Sequence, residues 1–503
     1  MNGAILIAGT TSDAGKSVVV AGLCRRLARE GVKVAPFKAQ NMSLNSMVTA
    51  DGAEIGRAQA MQAAAARIEP EAVMNPVLLK PGGMMSSQVV LLGRPIAEVG
   101  ALNYRDLKPR LFEAVLDSLA DLRARYDVVV CEGAGSPTEI NLRDRDITNM
   151  GLARAANLPV LVVGDIDRGG VFASFFGTLA LLSRADQDLV CGFVINKFRG
   201  DARLLEPALT RMRELTGRPV HGVLPFLGGL WLDVEDSLAL DADRGSAQPP
   251  LGEDILRVAV VRLPRISNFT DIDALSVEPG VVVRFVGTPA EITDADLVVL
   301  PGSRATVADL AWLREHGLDT ALTRRVAEGR PILGICGGYQ MLGHEIHDDV
   351  ESREGTVPGL GLLPVRIRFA ADKTLARPVG FADGETVTAY EIHHGVVEVE
   401  GGEPVFRAAD GTALDGCRVG ATTGTLWHGA LENDGFRRAF LARVAEATGR
   451  RFVGSPDTSF EAARQSRLDA LGDLVADHLD TAAVDHLIAH GAPPDMPFVP
   501  PGA

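Results

Sequence analysis

Residues 334–343 read GICGGYQMLG, and the fold turns on how Cys336 is framed. The run before it, PILGI (331–335), has strand character, and glycines stand at 334, 337 and 338. The junction therefore reads strand, sharp turn, helix. A nucleophile on such a turn is exposed above the end of a parallel sheet, and the glycines relieve crowding at a strained backbone. The helix that follows turns backbone N–H groups toward an oxyanion. Cys24, Cys131, Cys191 and Cys417 lack this framing and read as buried free thiols.

The strand before Cys336 is one of a series. ILRVAVV (255–261), VVVRFV (281–286), DLVVLPG (296–302), RPILGIC (330–336) and the 386–394 region alternate with helical patterns up to about residue 450. An earlier series runs through ILIAG (5–9), VKVAPFK (32–38), YDVVVCEG (126–133), LPVLVVGD (158–165) and LVCGFVIN (189–196). Near-continuous apolar strands separated by helices imply parallel sheets covered on both faces. The predicted fold class is α/β, with two doubly wound parallel-sheet domains and a helical C-terminal tail. The expected boundaries are 1–230, a Gly/Ser/Pro-bearing linker over 231–254, 255–450, and a tail over 451–503. In the tail Leu468, Leu471, Leu474, Val475 and Leu479 share one helical face, which predicts docking on a neighbouring domain.

Composition bounds the function. The chain has 503 residues, 46% of them apolar, enough for sizeable cores. A formal net charge of −15 argues against a general nucleic-acid binder. Five cysteines without a C-x-x-C pair fit a reducing compartment and neither a disulfide framework nor a structural zinc site. No apolar run approaches a membrane span, and AILIA (4–8) is too short for a signal-peptide core. A cytoplasmic location is expected.

A thiolate nucleophile needs a base. His393 and His394 in YEIHHG and His428 in GTLWHGALEND are the candidates, and His428 follows an apolar run at a strand end. GICGGYQ with a later strand-end histidine resembles a class I glutamine amidotransferase domain. The resemblance implies that Cys336 attacks the glutamine side-chain amide, releasing ammonia and leaving a glutamyl thioester for water, with His428 as base. VLPGSRAT (299–306) resembles the oxyanion-strand loop of that family, which implies Gly302 and Gly337 as amide donors. The usual domain carries a glutamate two residues after the histidine, and here that position is Ala430. Either a Cys–His dyad suffices or another group orients the base.

GTTSDAGKS (9–17) follows an apolar strand and opens a helix, the context of a phosphate-binding loop. Gly9, Thr10, Asp13, Gly15, Lys16 and Ser17 are then nucleotide-binding candidates for ATP, with Ser17 reaching Mg²⁺. The loop has five residues between Gly9 and Gly15, one more than the usual pattern, and is similar to that of dethiobiotin synthetase, which activates a carboxyl group with ATP. That comparison implies Glu132 in CEGAGSP and Asp51 in TADGAEIG as Mg²⁺ carboxylates, and Asn196 in VINKFRG at the adenine edge. Singly, Asp51 reads better as a helix cap; taken with the loop and Glu132, it reads as a metal carboxylate.

An acyl phosphate accepts ammonia where a free carboxylate does not, so the two halves suit an amide ligase. FKAQNMSLNSMVTADGAEIGRAQAMQA (37–63), MNPVLLKP (74–81), RDRDITNMGLARAA (143–156), GDIDRGGVFAS (164–174) and YEIHHG (390–395) together resemble the cobyric acid synthase family over essentially the whole chain. The resemblance implies glutamine- and ATP-dependent amidation of the b, d, e and g carboxylates of adenosyl-cobyrinic acid a,c-diamide, a corrinoid intermediate of cobalamin biosynthesis. It implies Asp146 near the activated carboxylate, and Lys38, Gln40, Asn41, Asn45 and Lys80 as substrate-holding candidates. One rival is cobyrinic acid a,c-diamide synthase, whose segment differs from QNMSLNS. Another is a partitioning-type deviant-Walker ATPase acting as a binding module, against which the intact Cys336 and His428 speak.

Overall fold

The apolar run Gly3–Gly9 (β1) is the middle strand of a six-stranded sheet in a computed structural model that describes residues 1–82, 86–100, 104–140, 146–228, 244–245 and 248–501. Helix α1 (Lys16–Arg29) returns the chain to β2 (Val34–Phe37), and α2 (Arg57–Ala65) follows. Strands β3 (Val128–Glu132), β4 (Val160–Asp165), β5 (Val190–Phe198) and β6 (Val220–Pro225) complete the order β6-β5-β4-β1-β3-β2, every pair parallel. β1 and β3 are buried along nearly their whole length, as strands covered on both faces must be. Their C-terminal ends carry the loop after Gly9 and the carboxylate of Glu132.

The second series forms its own sheet. β7 (Leu256–Val261), β8 (Val281–Val286), β9 (Leu297–Leu300), β10 (Ile332–Ile335) and β11 (Thr422–Thr425) pair in parallel in the order β8-β7-β9-β10-β11. The 386–394 region, expected as a member of this series, is not in it. Glu385–Thr388 and Glu391–Val399 pair antiparallel in separate small sheets, and β11 takes the place beside β10. Burial accounts for the difference: 391–399 is half exposed, whereas β11 is buried throughout. Its sequence, TTGT, is β-branched but polar, so hydropathy hides it.

The chain divides into two compact units. One comprises Met1–Ser43, Ala53–Trp231 and Gln465–Ala503, the other Leu44–Gly52 and Leu232–Arg464. Two features depart from the expected boundaries. Residues 44–52, inside the first strand series, belong to the second unit, and most of the tail belongs to the first. The expected linker falls mainly on 229–243 and 246–247, outside the described residues.

The tail forms α4 (Phe460–His478) and α5 (Thr481–His490). Leu468, Leu471, Leu474, Val475 and Leu479 are buried in one core with Val19, Val20 and Leu23 of α1. Gly22 permits this contact, since an added Cβ would lie 2.4 Å from Cγ2 of Val475. Arg25 donates to Asp469 at 2.8 Å and to Gln465 at 2.9 Å beside it. Among the described residues no helix is long and apolar enough to cross a membrane.

Candidate active sites

In the second unit, β10 ends at Ile335 and α3 (Gly337–Leu342) begins one residue past Cys336. Cys336 itself adopts φ 50° and ψ −110°, a conformation that non-glycine residues rarely hold. Its N–H donates to the Thr425 carbonyl of β11 at 2.8 Å, which ties the turn to the sheet. The glycines after it are required by space. A Cβ on Gly338 would meet the Leu300 carbonyl oxygen at 2.0 Å, and one on Gly337 would meet the Ser303 nitrogen at 2.7 Å.

His428, three residues beyond β11, is buried and hydrogen-bonded to Cys336. Its Nδ1 lies 2.6 Å from Oδ2 of Asp271, whose Oδ1 accepts from the Gly429 amide at 2.9 Å. Burial alone would pull the imidazole pKa down. The Asp271 carboxylate, and then Cys336, outweigh burial and push it up to about 10. Tyr390 stacks on the ring at a centroid distance of 5.2 Å, and Nδ2 of Asn268 lies 3.4 Å from Nε2. Of the four other cysteines, burial pushes the Cys131 and Cys191 thiols up to about 12, and raises those of Cys24 and Cys417 as well.

Asp271 is the residue that sequence reasoning missed. It sits in a short 3-10 turn, Phe269–Ile272, where every residue is buried. The NFTDIDAL stretch (268–275) carries two acids, Asp271 and Asp273, and nothing in the sequence marks out the first. The other histidines do not join the site. Among the described residues both ring nitrogens of the buried His393 lack a hydrogen-bond partner, and His394 pairs with the Ala370 carbonyl at 3.1 Å. Gly302 is held in a two-stranded ladder opposite Ser267, and the amide lying against Gly337 is that of Ser303.

In the first unit, the loop after β1 ends at Gly15, which caps α1 at φ 99° without a side-chain hydrogen bond. The helix N-terminus therefore opens at the end of the loop. Lys16 lies over the loop, its amine donating to the carbonyls of Thr11 at 3.0 Å and Gly135 at 3.3 Å. The Ser17 hydroxyl donates to Glu132 at 2.9 Å. Glu132 is fully buried and also accepts from the Lys38 amine at 2.9 Å and the Gln62 amide. Burial raises its pKa most strongly, but Lys38, Lys16 and Gln62 reverse that and hold the carboxyl below its usual range. An uncapped helix start, a lysine over the loop and a hydroxyl–carboxylate pair are the donors that a nucleotide phosphate and a hard cation require, so the residues fit Mg·ATP.

The remaining candidates scatter. The Asn196 amide donates to the Ala14 carbonyl at 3.0 Å and would touch any Cβ at Gly15, so it braces the loop from behind. Thr10 donates its N–H to Val163, and Asp13 pairs with Arg168 at 2.9 Å. Lys80 forms a buried pair with Glu54 at 2.6 Å; Asn41 donates to Gln59 at 2.9 Å, and Gln40 accepts from Tyr104. Asp146 accepts from the amides of Thr148, Asn149 and Gly151 and caps the helix Met150–Ala156. Residues 143–145 of its motif lie outside the described residues. Asp51 and Asn45 belong to the second unit, where Asp51 accepts from the Thr49 hydroxyl and Asn45 from the Phe269 amide at 3.3 Å.

These two sites define a nucleotide-binding P-loop unit joined in one chain to a glutamine amidotransferase unit. Residues 5–235 match the CobQ/CobB/MinD/ParA nucleotide binding domain, and residues 257–436 match the CobB/CobQ-like glutamine amidotransferase domain. Cobyric acid synthase of Streptomyces avermitilis is 66% identical over 509 residues, covering 100% of both chains. Those of Frankia casuarinae and Rhodococcus jostii are 64% and 58% identical, over 100% and 99% of this chain and 100% and 98% of theirs. The chain belongs to the cobyric acid synthase family.

Proposed function

We propose that this protein is an ATP- and glutamine-dependent amide ligase that converts the b, d, e and g carboxylates of adenosyl-cobyrinic acid a,c-diamide to amides, giving cobyric acid in the cytoplasm. The observation that carries this reading is the Cys336–His428–Asp271 relay in one chain with the Ser17–Glu132 pair: an ammonia source joined to a carboxyl activator. In the second unit, Cys336 Sγ attacks the glutamine carbonyl carbon as thiolate. His428, held as imidazolium by Asp271, gives its Nε2 proton to the departing ammonia and then takes one from the water that cleaves the thioester. The Gly337 amide at the start of α3 stabilises the oxyanion in both steps, and the Ser303 amide beside it is the second donor.

In the first unit, Lys16 and the amides at the start of α1 would hold the phosphates, and Ser17 with Glu132 the Mg²⁺ ion. Bound Mg·ATP supplies the phosphoryl group that turns a carboxylate into an acyl phosphate that ammonia can attack. Asn196 keeps the loop in its binding shape. The test is mass spectrometry of the corrinoid a,c-diamide incubated with protein, Mg·ATP and glutamine. A ladder of four hydroxyl-to-amine exchanges supports the reading, and an unchanged corrinoid beside continuing glutamine hydrolysis sinks it.

A further inference from the structure

Residues 44–52 belong to the second unit although their neighbours in sequence on both sides belong to the first. What they touch there is the surround of the catalytic base. The Ser46 N–H donates to Oδ1 of Asn268 at 2.9 Å, and Oδ1 of Asn45 accepts from the Phe269 N–H at 3.3 Å. This exchange holds the turn whose Asn268 faces Nε2 of His428 and whose Asp271 holds Nδ1. Asn268 is itself in the left-handed region at φ 49°, so its geometry depends on being held. On the other side, Val48 and Met47 pack with Tyr390 and Ile392, and Tyr390 stacks on the imidazole. Tyr390 and His428 also exchange backbone hydrogen bonds at 3.0 and 2.9 Å. One nine-residue segment therefore braces the base through both its polar and its apolar neighbours.

The two ends of this excursion share an anchor. Lys38 precedes it and Gln62 follows it, and both donate to Glu132 in the first unit. Any change in the ligation of Glu132 acts on both anchors at once, and the chain between them is the segment that holds His428.

We propose that residues 44–52 are a positioning element of the glutaminase site, with Ser46 and Val48 setting His428 through Asn268 and Tyr390, and that Glu132's grip on Lys38 and Gln62 ties this positioning to the nucleotide site. The proposal rests on the function given above and deepens it: ammonia release answers to the carboxyl-activating site.

The test uses the full chain. Ser46→Pro deletes the N–H given to Asn268, and Val48→Ala loosens the contact with Tyr390. Each lowers glutamine hydrolysis by the nucleotide-free protein about tenfold, chiefly in kcat, and changes the pH profile of Cys336 alkylation by iodoacetamide. Ammonia-dependent amidation stays within about twofold of the parent, which reports an intact fold and first unit. Should Ser46→Pro lose that activity too, Val48→Ala decides. Hydrogen exchange of the 44–49 amides changes when Mg²⁺ and a non-hydrolysable ATP analogue are added to the parent, and does not in Lys38→Met. Parent-like hydrolysis and alkylation in Val48→Ala overturn the positioning role, and unchanged exchange in the parent overturns the link to Glu132. If the parent fails to amidate the corrinoid even with ammonia, the function fails instead, and the hydrolysis and alkylation measurements still decide the positioning.

Discussion

Asp271 holds Nδ1 of His428 at 2.6 Å from a position 157 residues earlier in the chain. In the usual domain that place is filled by a glutamate two residues after the histidine, and here the position is the buried Ala430. The carboxylate arrives instead from the turn between β7 and β8. The same carboxylate takes the Gly429 amide, so one acid fixes both the ring and the backbone beside it. Asp271→Asn keeps the shape but loses the charge that holds His428 as imidazolium. Glutamine-dependent turnover is expected to fall by about 10²–10⁴, with ammonia-dependent synthesis unchanged. Equal loss in both assays would remove Asp271 from the relay.

The two sites are chemically separable. Cys336→Ala is expected to abolish amidation from glutamine and leave amidation from ammonium salts, because only the ammonia source is lost. Lys16→Ala abolishes both, because the acyl phosphate is then not formed. Parallel assays with glutamine and ammonium chloride at constant Mg·ATP check the pair, and normal glutamine use by Cys336→Ala would defeat the nucleophile assignment.

The ion pair at the base has a stability signature. His428 binds its proton up to about pH 10 in the folded protein, against an ordinary value of 6.5. Between those values the folded state holds more protons than the unfolded, so stability falls as pH rises. The contribution is complete below about 6.5 and gone above about 10. Urea midpoints across this range should decline less steeply in Asp271→Asn than in the parent, once other titrations common to both are subtracted.

Glu132→Gln removes the charge that balances the buried Lys38. Leaving a buried cation without its carboxylate costs about 3 kcal/mol, and the substitution also removes the carboxylate proposed to hold Mg²⁺. The expected result is a lower urea midpoint together with loss of ammonia-dependent amidation. Retained amidation would show that Glu132 is structural only.

The tail is part of the first unit's core. Leu468→Ala, at 2% exposure, is expected to destabilise that unit by about 3 kcal/mol, read as a lower denaturation midpoint. A neutral result would mean that α4 adds little to the packing of α1.

Much of this was legible from local pattern. Strand–glycine turn–helix junctions occur twice, at Cys336 and at the loop 9–17, because each depends on backbone steric rules that act over a few residues. The helical face Leu468–Leu479 was equally local. Thr422–Thr425 was not, since its place beside β10 comes from burial that polar side chains do not announce. Candidates implied by the family motifs have partners the sequence does not announce: Lys80 pairs with Glu54, and Asp146 accepts from the amides that open a helix.

The sequence by itself determined the α/β class, the phosphate loop and the family, and it offered Cys336 as the nucleophile, because each is written in contiguous residues whose local conformational preferences are strong. Only the tertiary structure decided that Asp271 orients His428, that Lys38 and Gln62 grip Glu132, and that residues 44–52 serve the second unit. Each of these depends on through-space contacts between segments far apart in the chain. Their side chains have ordinary local preferences, and only the folding of each unit brings the partners within hydrogen-bonding distance.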